Sequence, residues 1–427
     1  MVRLSQCMIV KNEETNIEKA LSWAKDYAFE QIVIDTGSSD NTVALASELG
    51  AKLDYFKWIN DFSAAKNYAI EKASGDWIAF LDADEYLTEK NAKRLYNLLE
   101  ELESEQDKSK DIYAITCIIV NINDDGNPMT KFSTVRVFRN LPSIRFIGSI
   151  HEQPTINAAN IINADYIEII HTGYSESARN ETDKSKRNTE LLRKELSADP
   201  DNLSLKLYLA NALSTSSNPK DHNEAEQLYL KVINSKKTEN VHPVLRVKMY
   251  INIISKYLTD PDKLQDCKEM CHIALKEMPD SVDFLYYLAV TLSKMGEHSE
   301  AWKVLRSCEE KLITGTGSHD DSIMIPADPT ILFGQMILVA KNLNDIENVI
   351  LYSVHILTLD KTRSSILGPC IATMVYYGAS THEILNLLSN IYDMNNIEDV
   401  LFLTETAKEF GAVDFAAAVK ELSEDAG

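Results

Sequence analysis

The sequence predicts an α/β domain built on a mostly parallel, Rossmann-like sheet, followed by an all-α helical-repeat domain. Three observations predict it. Over the first eighty residues, short apolar runs alternate with stretches of helical spacing, the pattern of βαβ units. The apolar run Trp77-Ile78-Ala79-Phe80-Leu81 stops abruptly at Asp82-Ala83-Asp84-Glu85. Near residue 175 the strand signals fade, and from about residue 188 nearly everything reads helical. The expected domains are 1–178 and 179–427.

Each element follows from local pattern. Residues 4–10 read as a buried strand broken by Lys11-Asn12-Glu13-Glu14, and 17–27 carry helical spacing. A second short strand over 31–35 enters the polar loop Thr36-Gly37-Ser38-Ser39-Asp40-Asn41. That loop leads into a helix over 42–49, with Asp40 or Asn41 placed to cap it. Residues 52–56 are a third strand, 63–73 a helix and 77–81 the fourth strand. A charged helix over 89–107 precedes β-rich stretches at 112–121 and 132–139. Between them lies Asn123-Asp124-Asp125-Gly126-Asn127-Pro128, whose acid pair reads as turn chemistry.

Asp82 and Asp84 are the first candidates for chemistry. In an extended chain, residues i and i+2 point the same way, so the two acids are expected to aim at one point. A strand ending in a polar turn would use the same residues. Ligands of parallel sheets, however, sit outside the carboxyl ends of the strands. Asp35 ends a second strand and would face the same crevice. A hard divalent cation bound to a diphosphate suits such a place, with one or two carboxylates and the rest of the shell from phosphate and water.

Three motifs carry a resemblance: Met8-Ile9-Val10-Lys11-Asn12-Glu13, then Val33-Ile34-Asp35-Thr36-Gly37-Ser38-Ser39-Asp40-Asn41-Thr42, then Leu81-Asp82-Ala83-Asp84-Glu85. In this order and spacing they resemble the family-2 glycosyltransferases over roughly residues 1–175. The resemblance implies the nucleotide-sugar-binding fold called GT-A, a UDP-sugar donor, and a divalent metal, manganese or magnesium. It implies donor contacts at Val10, Asn12 and Glu13, and a base or ribose contact at Asp35. It places Asp82, with Ala83 beside it, near the ribose, and makes Asp84 a metal ligand. A uracil imide and ribose hydroxyls are donors that such carboxylates accept. In Asn60-Asp61-Phe62-Ser63-Ala64-Ala65-Lys66-Asn67, Asp61 or Ser63 reads as an N-cap. Members of the family often carry Arg where Lys66 stands. Lys keeps the charge and loses the fork, so Lys66 is a donor-binding candidate.

The segment Arg145-Phe146-Ile147-Gly148-Ser149-Ile150-His151-Glu152-Gln153-Pro154 resembles an element of family-2 members that also carry tetratricopeptide-like tails. Glu152 follows Asp82 by seventy residues, and His171, in Ile169-Ile170-His171-Thr172-Gly173-Tyr174, follows nineteen later. That order suits an inverting GT-A transferase: metal-binding acids, then a carboxylate that deprotonates the acceptor, then a His near metal and diphosphate. Inversion needs one base opposite the leaving nucleotide. Glu152 is the preferred base, and His151, an imidazole titrating near neutrality, is its rival. The structural alternatives are a surface acid before Pro154 for Glu152 and a core His at a strand end for His171.

The tail repeats itself. Asp199-Pro200-Asp201 returns as Met278-Pro279-Asp280, and the interval of seventy-nine residues fits about two tetratricopeptide-type helix pairs. Residues 244–275 would be the degenerate repeat between them, with 345–357 and 381–421 as further pairs or a cap. Its Tyr and Leu stripes read as packing, and a stacked array offers a concave surface for a peptide.

Global properties narrow the classes. The formal charge is -22, from 43 Lys and Arg against 65 Asp and Glu, which argues against nucleic acid and anionic membranes as partners. No apolar run approaches the ~20 residues of a transmembrane helix, and the chain enters its first strand directly, so no secretory signal is expected. Six scattered cysteines fit reduced thiols in a bacterial cytoplasm. Within the tailed group, Trp58-x-Asn60-Asp61-Phe62-Ser63, Gly148-x-x-His151-Glu152-x-Pro154 and His171-x-Gly173-Tyr174 resemble the sublancin-type peptide S-glycosyltransferases of bacteria. That resemblance implies UDP-glucose, a Cys thiol or Ser hydroxyl on a ribosomal bacteriocin precursor as acceptor, and a homodimer through the tail. Two other expectations compete: transfer to a cell-wall or surface carbohydrate, and a non-catalytic helical-repeat interaction protein. The set Asp35, Asp82, Asp84 and Glu152 weighs against the last.

Overall fold

The computed structural model describes residues 2–104, 111–173, 182–235, 241–317 and 324–425. Two compact units make up the chain, Met1–Leu205 and Lys206–Gly427. The expected boundary at 178/179, and residues 105–107 of the expected charged helix, lie outside the described residues.

The first unit opens with strands and helices in alternation: β1 (Leu4–Val10), α1 (Ile17–Ser22), β2 (Glu30–Asp35), α2 (Thr42–Glu48), β3 (Lys52–Tyr55), α3 (Phe62–Lys72) and β4 (Trp77–Phe80). It continues through β5 (Glu85–Leu87), α4 (Glu89–Ser104), β6 (Ala114–Ile122), β7 (Pro128–Arg139), β8 (Phe146–Ile147), β9 (Gln153–Pro154), β10 (Ile161–His171) and α5 (Thr182–Ala198). Eight strands form one sheet in the order β3-β2-β1-β4-β7-β6-β10-β5. Four of its seven pairings are parallel: β1 with β2, β1 with β4, β2 with β3, and β6 with β10. β7 and β5 run antiparallel to their neighbours. β8 and β9 pair separately as a small hairpin.

Strand periodicity sorts the core onto the two faces of the sheet. From β4, Trp77 and Ala79 join the cluster that includes Leu95 and Leu99 of α4, along with Leu81 just beyond the strand. Ile78 and Phe80 join Ala69 and Ile70 of α3 on the other face. α4 buries Ala92, Leu95, Leu99 and Leu102, an i, i+3, i+7, i+10 stripe. β5 goes beyond the expected elements, because three residues carry too little periodicity to be read. One expectation changes in kind. β4 ends at Phe80, and Glu85 N–H bonds to Asp82 C=O at 3.0 Å, so the acid pair sits in a turn and not on an extended strand.

The second unit is helical throughout its described residues. Pro243–Leu258 and Leu264–Glu277 occupy the expected degenerate repeat, and Val282–Lys294 and His298–Thr314 form the next pair. Ser281 caps the third of these through Phe284 N–H. Thr330–Asn342, which the sequence did not single out, precedes Ile346–Leu359. All six cysteines are buried and free. Among the described residues, no helix is long and apolar enough to cross a membrane.

Candidate active site

Past the carboxyl ends of β1, β2 and β4 lies a cavity of about 1030 Å³. The backbone around it is strained. Among the described residues, four non-glycines have positive φ, and three of them line this cavity: Asn12 at 58°, Asn60 at 63° and His151 at 53°. Such conformations cost about 1–3 kcal/mol and gather at functional sites.

Local bonding explains how the first two motifs meet. Val10 C=O accepts from both Thr36 N–H and Thr36 Oγ1 at 3.0 Å. Asn12 N–H donates to Ser38 Oγ at 2.9 Å, and Asn12 Oδ1 accepts from Ser39 N–H at 2.8 Å. Glu13 N–H donates to Thr42 Oγ1 at 2.7 Å. The strained turn after β1 is thereby laced to the loop after β2, and Val10, Asn12, Glu13 and Thr36 all line the cavity. Asp35 has a different placement. It is buried, its carboxylate accepts from the N–H groups of Gly37 at 3.0 Å and Ser38 at 3.1 Å, and the lining takes Thr36 in its stead. Asp40 accepts from Thr42 N–H at 3.0 Å, whereas the Asn41 side chain makes no cap bond.

One wall is a cluster of interlocked charges, two cations among three carboxylates. Asp61 caps α3 through Ala64 N–H at 2.8 Å, and one turn on Lys66 enters the interior. Its Nζ lies 3.0 Å from Asp82 Oδ1 and 2.8 Å from Glu152 Oε1. The same ammonium stands over the rings of Phe80 and Phe146, at 5.2 and 5.3 Å. Burial pushes its pKa down, but Asp82 and Glu152 outweigh burial and raise it. Arg136 on β7 grips Glu85 with two parallel bonds of 2.8 and 2.7 Å and lies 3.4 Å from Asp82 Oδ2. Burial would raise the Asp82 pKa, yet Lys66 and Arg136 hold it well below the carboxylate range. Each oxygen of Asp82 thus faces a protein cation, while the side chain keeps 41% exposure.

The other acid of the pair has different company. Asp84 Oδ2 lies 3.3 Å from His171 Nε2 at the end of β10. Thr172 ties β10 to the acid turn, its N–H and Oγ1 both reaching Asp84 C=O at 3.0 and 3.2 Å. Burial lowers the His171 pKa, but the Asp84 hydrogen bond and charge more than offset it, so the pKa is raised. Gly173 faces this notch. A Cβ there would run into Asp84 Oδ2 and lie 2.7 Å from His171 Nε2, so a larger residue would push these side chains aside. A carboxylate oxygen and an imidazole nitrogen 3.3 Å apart beside a residue with no side chain fit a divalent cation. No group of three or more His, Cys, Asp or Glu suited to a metal occurs among the described residues. The remaining coordination positions would therefore fall to phosphate and water.

His151 and Glu152 lie on the loop between β8 and β9, and both line the cavity. α3 holds that loop through Phe62 N–H to Ser149 C=O at 2.9 Å and Ser63 Oγ to Gly148 C=O at 2.5 Å. Ser149 N–H donates in turn to Glu195 of α5. Of the residues singled out in the sequence, Val10, Asn12, Glu13, Lys66, Asp82, Ala83, Asp84, His151, Glu152 and His171 share this cavity, and Asp35 lies behind it.

Residues 5–145 match the family described as Glycosyl transferase family 2. The first unit therefore carries a family-2 glycosyltransferase domain of the GT-A type. A TPR repeat-containing protein of Synechococcus elongatus is 42% identical over 152 residues, 36% of this chain and 35% of that relative. The SPbeta prophage-derived glycosyltransferase SunS of Bacillus subtilis is 32% identical over 200 residues, covering 46% of this chain and 45% of SunS. Each match spans less than half of the relative's own length. Among solved structures, Staphylococcus aureus TarS gives a TM-score of 0.36 at 14% identity, over 61% of this chain and 54% of TarS, too loose a likeness to inform the site.

Three residues in or behind this cavity are not legible in the sequence. Arg136 hides in a β-rich run that also carries Lys131 and Arg139, where a cation reads as an outward residue. Glu85 sits within the acid motif, but its burial and its pairing with Arg136 come from a neighbouring strand. Asn121 ends an apolar strand and meets His171 only across β6 and β10. The one available signal was a charged or amide residue on a strand otherwise made of Ile, Val and Phe.

Proposed function

We propose that the chain is an inverting, metal-dependent hexosyltransferase that moves a hexose, expected to be glucose, from a UDP-sugar to a Cys thiol or Ser hydroxyl of a peptide. The observation that supports it most is that Glu152 and the Asp84–His171 pair open into one cavity. In this reading the nucleotide lies along Val10–Glu13 and Thr36, with Asp35 stiffening the loop beneath it. Asp84 and His171 would hold a divalent cation, which when bound neutralises charge on the departing diphosphate. The Glu152 carboxylate, fixed by Lys66, takes the proton of the acceptor thiol or hydroxyl as its sulfur or oxygen attacks the anomeric carbon from the side opposite UDP. His151, on the neighbouring strained position, is the second candidate for that proton. The peptide acceptor rests on the resemblance to sublancin-type enzymes and on the helical unit, whose stacked pairs suit an extended chain.

The test is intact-mass analysis of Cys- and Ser-containing bacteriocin precursors after incubation with the protein, a panel of UDP-sugars and Mn²⁺ or Mg²⁺. A hexose mass shift on peptide supports the proposal. Transfer to glycan acceptors alone would move the reading to surface carbohydrate. Neither transfer nor donor hydrolysis would leave a non-catalytic repeat protein.

A further inference from the structure

A polar row crosses four neighbouring strands at the edge of the sheet. Thr130 of β7 pairs in register with Asn121 of β6, one step from Asn121↔Thr130 to His171↔Asn121 on β10, and His171 pairs with Glu85 of β5. Asn121 is 2% exposed, so its amide must find partners inside the protein. Its Nδ2 donates to Thr130 Oγ1 at 2.7 Å, which turns Oδ1 toward His171 Nδ1 at 2.6 Å. Both ring nitrogens face acceptors, but the amide oxygen, which only accepts, lies at 2.6 Å against 3.3 Å for Asp84 Oδ2, so the shorter bond puts the neutral ring's proton on Nδ1. In the neutral ring the lone pair is then on Nε2, the atom that faces Asp84 Oδ2 beside Gly173.

We propose that Asn121 is a positioning residue that fixes His171 in the Nδ1–H tautomer and so presents Nε2 to the divalent cation. This rests on the reading of Asp84 and His171 as the metal pair. Thr130 serves the row by holding the amide in one orientation. The register explains why the device is stable: each partner is carried on a ladder of backbone bonds, and none depends on a loop.

Two measurements test it on the full-length protein. The first is calorimetric titration of Mn²⁺ in the presence of UDP. Asn121→Leu keeps the volume and removes the acceptor, and should weaken Mn²⁺ uptake by about 10–100-fold. Asn121→Asp restores an accepting oxygen and should stay within a few-fold of wild type. Metal-free UDP affinity should be unchanged in both. The second needs no variant: nitrogen NMR of histidine-labelled, metal-free protein at alkaline pH should place the His171 proton on Nδ1. Wild-type Mn²⁺ affinity in Asn121→Leu, equal losses in both variants, or an Nε2–H tautomer would overturn the proposal. If wild type itself takes up no Mn²⁺, the metal reading fails and the proposal falls with it.

Discussion

Asp82 and Asp84 are two residues apart in one turn, yet they belong to regions with opposite character. Around Asp82 the charges interlock: two cations, Lys66 and Arg136, are shared among three carboxylates, Asp82, Glu85 and Glu152. Beside Asp84, among the described residues, stand one imidazole and a glycine whose Cβ would press on both side chains. The first region is rigid because breaking it strands buried charge. On the reading proposed above, the second would take its charge from a bound cation. The two acids of the D-x-D motif thus sit in unequal surroundings, one among protein cations and one beside an imidazole.

The comparison breaks most visibly at Asp84. Asp84→Ala should lower transfer by about a thousandfold, several kcal/mol of lost charge stabilisation, with the fold and thermal stability near wild type. Near-normal turnover would place the cation elsewhere. Glu152→Gln, at the junction of the two regions, should slow transfer to a Ser peptide by about a hundredfold or more. A Cys peptide should lose less, since a thiol of pKa about 8.5 supplies some thiolate unaided. Equal losses on both peptides would argue that Glu152 is not the base and favour His151. Lys66→Met should instead be read in unfolding. It strands Asp82 and Glu152, and should cost about 2 kcal/mol, less than a fully buried pair because Asp82 keeps 41% side-chain exposure. A midpoint within error of wild type would show that the charged wall is not structural.

The smallest effect lies in pH. In the metal-free protein the raised His171 pKa means that protonated imidazole stabilises the fold. That contribution is complete below about pH 6.5, the ordinary imidazole value, and is lost as pH rises through the folded value. Mn²⁺ affinity should run the other way, rising over the same window as the competing proton leaves. The Asp82 wall, ionised far into acid, should contribute equally throughout. Thermal unfolding in chelator and calorimetry with Mn²⁺, each at about pH 6 and 8, read the two trends; two flat profiles would remove His171 from the notch.

Much of this was legible in the sequence, and the reasons are physical. β1, β2 and β4 announce themselves because both faces of the sheet are buried there, so each is a largely apolar run stopped by polar residues, whereas β3, Lys52–Tyr55, is a half-exposed edge strand. The loop after β2 was legible too, although Asp35 turned inward to bind Gly37 and Ser38 N–H groups. The relation between Asp82 and Asp84 was not legible, because it depends on the strand ending at Phe80 and on cations arriving from α3 and β7. Pairings between distant strands, such as Asn121 with His171 or Arg136 with Glu85, leave no mark on local periodicity. Lys66 was singled out for a bound nucleotide, while its nearest partners are Asp82 and Glu152.

Calorimetry of UDP binding with and without Mn²⁺ in Asp82→Asn and Asp84→Asn asks whether the two acids have separate tasks. Asp84→Asn should bind UDP alone as wild type does but gain nothing from Mn²⁺. Asp82→Asn should bind UDP more weakly under both conditions and keep the Mn²⁺-dependent gain. Loss of that gain in both variants alike would contradict separate tasks, and would make the pair a single two-carboxylate metal site.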